Sequence, residues 1–304
     1  MPTPHAPALG PYRLLRPIGR GAMGTVHLAV DRRSGRAVAV KTLSLGGDPA
    51  EAERAQWRQR FAAEVEAAQR LAHPDIAAVY AAGEQGDTAW LAMELLRGCE
   101  LTRYTRAPRL LPEVVVLSLG ERLARALAHA HAHGVVHRDL KPGNVMLDLP
   151  AGGVKLTDFG VAALVDASRT RTGLVLGTPL YMAPEQLAGA PADARSDLYA
   201  LGVLLYELLA GERPHEHASL GELLRQVAQQ PAPDLRALRP ELDAEVAVLV
   251  GRCLDKRPAS RPADAAALAD ALQRLARRRG AATDGALHNR IASDGYAAPS
   301  EPSR

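Results

Sequence analysis

The stretch His137-Arg138-Asp139-Leu140-Lys141-Pro142-Gly143-Asn144 decides how the whole chain is read. It closes an Ala-rich helical run and precedes a short apolar segment, Val145-Met146-Leu147. Basic residues, two candidate metal or proton ligands and a Pro-Gly turn crowd into it. Such a loop makes sense where something anionic and something acidic meet, so the remaining chain must supply the missing parts.

Upstream, Ile18-Gly19-Arg20-Gly21-Ala22-Met23-Gly24-Thr25-Val26 is a G-x-G-x-x-G-x-V run. Glycines let a backbone approach phosphates with no Cβ in the way and leave N–H groups free to donate. A dinucleotide-binding fold offers a similar pattern, but there a helix follows at once. Here Val26, Leu28 and Val30 alternate with smaller or polar residues, as in a strand. The run therefore reads as a β-hairpin flap, against the plainer alternative of a Gly-rich turn with no ligand. A hairpin signal, Asp31-Arg32-Arg33-Ser34-Gly35, leads into Val38-Ala39-Val40-Lys41. Small Ala39, on the face opposite Val38 and Val40, leaves space for a planar base. Lys41 offers a point charge to phosphate oxygens. Most strand-ending lysines are merely solvated; this one gains meaning from lying one hairpin away from the glycines.

The pattern predicts a helix over Glu51 to Leu71, then short strands around Ala77–Gly83 and Thr88–Glu94. Beyond Gly98 the character changes. Pro112 to His133 reads as a long helix with proline near its first turn. A hairpin surrounds Ala151-Gly152-Gly153, and Leu198–Leu209 is apolar nearly all round, which in a water-soluble fold means a central buried helix. Further helices are expected at 219–230, 241–254 and 263–278.

Composition narrows the class. The 304 residues are 47% hydrophobic and 23% charged, an ordinary globular balance. A net charge of +3 is too weak to argue for a nucleic-acid partner, and none is expected. Cys99 and Cys253 have no metal-like spacing and read as free thiols of a reducing compartment. Met1–Gly10 lacks the apolar core of a signal peptide, and Leu198–Ala210, with Glu207 inside it, is too short to span a bilayer. The expectation is a cytoplasmic chain with no transmembrane segment. His129 and His133 share a helix face, but no third zinc ligand is signalled nearby, so a helix surface is the better reading. Trp57 reads as a packing residue.

The opening stretch has the H-R-D-L-x-x-x-N spacing of a kinase catalytic loop. Asp158-Phe159-Gly160 stands fourteen residues past Asn144, and Ala183-Pro184-Glu185 closes the following segment. With these motifs in order, the chain resembles the bacterial eukaryotic-like (Hanks-type) serine/threonine protein kinases, from about Tyr12 to Ala276. The resemblance implies an α+β, bilobal protein-kinase fold. Residues 1–11 would be a flexible leader and 12–96 an N-lobe of antiparallel sheet plus one helix. Residues 97–278 would be a mainly helical C-lobe, and 279–304 a disordered tail.

It also implies roles. Asp139 would orient the attacking hydroxyl or take its proton, and Lys141 would neutralise the migrating phosphoryl group. Asn144 and Asp158 would hold Mg²⁺, with Mn²⁺ as the alternative ion. Lys41 would grip the phosphates of ATP and pair with a helix-borne glutamate, Glu64 by its spacing before His73-Pro74, or Glu66 as the fallback. Met93, the backbone of Glu94 and Leu96, and the side chains of Ile18, Val26, Ala39 and Met146 would surround adenine. Lys141 and Thr178 mark serine/threonine rather than tyrosine specificity. Arg138 implies a switch by loop phosphorylation, with Thr170 and Thr172 as the candidate positions. Asp197 would receive backbone N–H groups of the catalytic loop, and Arg261 would pair with Glu185. Protein substrates and a kinase-domain homodimer are the implied partners. Two rivals remain. An ATP-binding pseudokinase scaffold would be expected to lack Lys41, Asp139 or Asp158, and a small-molecule phosphotransferase would lack the peptide shelf from Gly177 to Glu185.

Overall fold

The computed structural model describes residues 8–21, 24–44, 51–159 and 179–280. The N-terminal lobe is a six-stranded antiparallel sheet in the order β1-β2-β3-β4-β6-β5. Its strands are β1 (Ala8–Leu9), β2 (Tyr12–Gly21), β3 (Gly24–Asp31), β4 (Ala37–Ser44), β5 (Val79–Gln85) and β6 (Thr88–Met93). Helix α1 (Glu51–Gln69) lies between β4 and β5 in sequence. The expected flexible leader is corrected at its end: Ala8 and Leu9 pair with Arg13 and Tyr12 and extend the sheet by a strand.

Period-two alternation divides the apolar residues of this sheet between two faces. On one, Tyr12, Leu14, Val38, Val40 and Trp90 form a small core, with the Tyr12 and Trp90 rings edge to face at 5.4 Å. On the other, Leu43, Ala89 and Leu91 meet Phe61 of α1. Trp57 stacks on Phe61 at 4.9 Å, which makes it a packing residue.

The larger lobe is helical around one small sheet of β7 (Cys99–Glu100), β8 (Val145–Asp148) and β9 (Gly153–Leu156). Its helices are α2 (Glu113–Ala132), α3 (Pro184–Leu187), α4 (Ala194–Ala210), α5 (Leu220–Gln229), α6 (Leu235–Leu238), α7 (Ala244–Cys253) and α8 (Ala265–Gly280). Residues 279 and 280 thus complete α8 rather than opening a tail; the rest of the expected tail lies outside the described residues.

Helix α4 is buried from Ser196 to Leu209. Asp193 caps its N-terminus, accepting from the N–H groups of Arg195 and Ser196 at 2.8 and 3.1 Å, while the Ser196 hydroxyl accepts from the Asp193 N–H. Small residues set how closely its neighbours approach. A Cβ on Gly202 would stand 2.6 Å from the Cys253 Cβ of α7, and one on Gly120 of α2 would stand 2.7 Å from a Leu205 methyl.

Asp75 ties the lobes together. Its carboxylate accepts from Arg122 of α2, and its carbonyl accepts from the Leu156 N–H of β9 at 2.8 Å. The Ala77 N–H returns a bond to the Leu156 carbonyl at 2.9 Å. Among the described residues no helix is long and apolar enough to cross a membrane.

Candidate active site

The glycine run folds as a hairpin from β2 into β3, and its three glycines have different physical reasons. At Gly24 (φ +138°) an added Cβ would fall 1.8 Å from the Thr42 carbonyl oxygen, so the fold itself demands glycine there. At Gly21 a Cβ would meet nothing, and at Gly19 only Val26 at 3.9 Å. Packing requires nothing of those two positions, and a backbone without a Cβ there could lie open to an approaching anion. Ala22 and Met23 lie outside the described residues.

Lys41 is buried inside β4, which runs on to Ser44 rather than ending at the lysine, opposite Val26 on one side and Leu91 on the other. Ala39 pairs with Met93 and is also buried. Ile18, beside a bulge in β2, is 41% exposed, as an apolar lip over an open cleft would be. Met146 stands half-buried on β8. Glu94 does more than lend its backbone. Its carboxylate accepts from the Ala78 N–H at 3.2 Å and from Lys155 Nζ at 2.9 Å, bracing the segment that follows β6 against β9. Nothing in the sequence signals Lys155, an ordinary outward residue between Val154 and Leu156. Leu96 is half-buried just beyond.

The stretch His137–Asn144 is held from behind by Asp197, which is 1% exposed on α4. Its carboxylate accepts from the N–H groups of His137 and Arg138 at 2.8 and 2.9 Å and contacts His131 Nε2 at 2.8 Å. This clamp fixes Arg138 at φ +69°, a conformation costly for a side-chain-bearing residue and sustained only by surrounding bonds. Buried His137 reaches the Thr157 carbonyl through Nε2 at 2.9 Å, and its ring lies 4.6 Å from that of Phe159. The catalytic-loop and Asp-Phe-Gly motifs are thereby joined side by side.

In front of this frame, Lys141 Nζ donates to Asp139 Oδ2 at 2.6 Å, and Asn144 Nδ2 donates to Asp139 O and Oδ2 at 2.7 and 3.1 Å. Asn144 spends its amide N–H groups on Asp139, so its Oδ1 could face a hard cation. Asp158, at φ +64°, pairs with Lys41 through Oδ2 at 2.8 Å, and its other carboxylate oxygen could do the same. An amide oxygen and a carboxylate oxygen suit a divalent metal of the Mg²⁺ type.

One expected pair is absent. Lys41 does not meet Glu64; it meets Asp158, while Glu64 Oε1 accepts from Arg138 at 2.9 Å. Two cations and two carboxylates are thus paired crosswise relative to the expectation. The physical reason is availability. The buried ammonium of Lys41 needs a carboxylate, and Asp158 supplies one from the adjoining turn, whereas Glu64 on α1 faces the more exposed Arg138. Arg138 is therefore engaged rather than free to receive a phosphate. Glu66, the fallback, is 72% exposed and among the described residues pairs only with Arg70 along the helix.

Glu185 and Arg261 meet through two bonds of 2.7 and 2.8 Å, with the arginine side chain fully buried. Burial opposes ionisation of Glu185, but bonds from Arg261, its own N–H and Ser196 outweigh it and hold the carboxyl below its ordinary value. Thr170, Thr172 and Thr178 lie outside the described residues. The structure also brings His73 to within 5.4 Å of the His129 ring, itself 4.4 Å from His133. His73 Nδ1 accepts from the Asp75 N–H, and no group of three such side chains among the described residues could hold a metal.

Comparison with known proteins bears on the fold and the family. The family model described as protein kinase domain matches residues 12–273. The serine/threonine-protein kinase PknA of Mycobacterium tuberculosis is 42% identical, with 86% of this chain and 61% of that protein covered. The DNA damage-responsive serine/threonine-protein kinase RqkA of Deinococcus radiodurans is 41% identical, over 91% of this chain and 41% of its own length. The chain thus spans about three-fifths or less of these relatives. Among solved structures, the kinase domain of Mycobacterium tuberculosis PknI superposes with a TM-score of 0.72 at 32% identity, covering 90% of this chain and 99% of that one. The chain belongs to the protein kinase family, in its bacterial eukaryotic-like serine/threonine branch.

Proposed function

We propose that this chain transfers the γ-phosphoryl group of ATP to serine or threonine hydroxyls of proteins. The observation that carries the reading is the Asp139 carboxylate, bonded by Lys141 at 2.6 Å and by Asn144 at 3.1 Å. Asp139 orients the acceptor hydroxyl and takes its proton as the new bond forms. Lys141 sits where it can neutralise charge on the moving group, and Lys41 holds the neighbouring phosphates by exchanging Asp158 for them. ATP would supply the phosphoryl group, and Asn144 and Asp158 would hold a divalent ion, Mg²⁺ with Mn²⁺ as substitute, that would neutralise phosphate charge. Lys41, Asp139 and Asp158 are all present, which weighs against a pseudokinase.

Activation follows from the crossed pairs. A phosphate on Thr170 or Thr172, carrying roughly −1.5 to −2 charges, competes with Glu64 for Arg138. Released Glu64 can then turn to Lys41, freeing Asp158 for metal. Transfer between two copies of the chain would load that phosphate, so its rate should rise with protein concentration. Free Cys99 and Cys253 and the use of ATP fit a reducing cytoplasmic setting.

The test is transfer of radiolabel from ATP to a generic protein substrate by wild type and Asp139→Asn. Loss of transfer in the variant is expected; equal incorporation would remove Asp139 from its role. Mass spectrometry should find new phosphate on Thr170 or Thr172, and phosphate only outside residues 166–178 would sink the switch.

A further inference from the structure

Helices α7 and α8 part at the surface of the large lobe and leave a groove of about 320 Å³. Val248, Leu249, Ala271 and Leu275 form its apolar lining, and Arg252 and Arg274 stand on its rim. A second groove of about 280 Å³ lies on the other flank of α7, sharing Ala244 and Val248 with the first. Val248 is therefore a ridge between two hollows. At 63% it is the most exposed of the large hydrophobic side chains among the described residues. Val248 and the apolar floors beside it lie together on one face of α7, unlike the singly scattered exposed leucines.

The charges say what would sit there. Arg278 is committed to Glu245 through two bonds of 2.7 and 2.9 Å, and Arg279 pairs with Glu113 and Asp243. The guanidinium groups of Arg252 and Arg274 make no ion pair or hydrogen bond among the described residues. Arg252 lies in the last turn of α7, where a cation complements the helix dipole. Arg274 lies two turns before the end of α8, so the dipole does not account for it. Two uncommitted cations over an apolar floor complement a carboxylate-bearing segment with an aliphatic side chain. A bilayer is the poorer fit: the apolar atoms sit in hollows, and Asp234 and Glu245 line those same hollows.

We propose that the α7–α8 groove docks an acidic peptide segment of a partner protein, anchored by a leucine-like side chain against Val248 and held by Arg252 and Arg274. Docking there would raise the effective concentration of a tethered substrate or regulator at the kinase. The test is selection of a displayed random 12-residue peptide library on the wild-type chain. The counter-selection target is Val248→Glu/Arg252→Glu/Arg274→Glu, whose three positions are all exposed. Enrichment of acidic sequences with an aliphatic centre is expected. A synthetic peptide of the enriched sequence should bind the triple variant at least tenfold more weakly, with binding falling as salt rises. No enriched motif, or a motif indifferent to the triple variant, would overturn the proposal. So would binding of phosphatidylserine vesicles that the variant loses while no peptide is selected. A melting temperature of the variant within a few degrees of wild type shows that the fold is intact. Single Arg274→Glu serves if it is not.

Discussion

Replacing Arg261 by methionine removes one side of a buried pair while keeping most of the volume. The guanidinium is fully enclosed and donates to both carboxylate oxygens of Glu185, to the Arg195 carbonyl at 2.9 Å and to the Asp255 carbonyl at 2.9 Å. It also lies 5.0 Å from the centre of the Tyr199 ring. Methionine restores packing but leaves Glu185 a half-buried carboxylate with Ser196 as its remaining side-chain partner. Breaking a buried pair from one side costs about 3–5 kcal/mol. For a domain of this size that is a fall of about 6–20 °C in melting temperature. Urea denaturation at pH 7 and pH 5 checks both the size and the cause. In wild type the folded Glu185 pKa is depressed, so its stabilisation is present above the ordinary glutamate range and is lost only as pH falls through the lower folded value. In the variant only its own N–H and Ser196 still oppose burial, so that pKa rises from its wild-type position and protonation toward pH 5 relieves part of the penalty. The gap between wild type and variant should narrow from pH 7 to pH 5. A loss under about 1 kcal/mol at pH 7, the worth of a surface pair, or a gap that does not narrow would refute the reasoning.

Arg138→Ala should raise the basal activity of the unphosphorylated protein, because Glu64 is released, and should abolish further gain on loop phosphorylation; kinase assays on phosphatase-treated and autophosphorylated samples read both. Asp139→Asn should lower transfer by about 10²–10⁴-fold while leaving affinity for a fluorescent ATP analogue within a few-fold of wild type. Gly202→Val should cost about 1–3 kcal/mol through overpacking against Cys253, visible as a lower midpoint in urea with the slope unchanged. Burial, with help from nearby Arg261, pushes Lys256 down to about 8, and its Nζ lies 3.0 Å from His215 Nε2. Between that value and the ordinary 10.5 the unfolded chain binds more protons, so stability rises with pH across this window. Lys256→Met should therefore stabilise the protein at pH 7 and lose that advantage by about pH 10, measured by thermal melts.

Much of the architecture was legible because its causes are local. The apolar run of α4 requires burial on all sides, and the alternation of β3 and β4 requires a sheet with two covered faces. Spacing within the catalytic loop put Asp139, Lys141 and Asn144 in reach of one another, since a turn of so few residues has little freedom. The crossed pairs of Lys41, Glu64, Arg138 and Asp158 were not legible. Each partner choice depends on how α1 sits against the large lobe, and no local pattern encodes that distance. Lys155 bracing Glu94, Arg122 holding Asp75 and His73 joining His129 were missed for the same reason. Each contact joins residues far apart in the chain, and an isolated Lys, Arg or His has solvent as its default partner.

The sequence by itself determined the kind of chemistry at His137–Asn144, because the identities and spacing of a short loop limit what it can hold. The tertiary structure decided the state of that loop. Arg138 is engaged by Glu64 instead of standing free, and Lys41 by Asp158 instead of Glu64. Charges choose partners by distance through space, and in this quartet only the packing of the two lobes sets those distances.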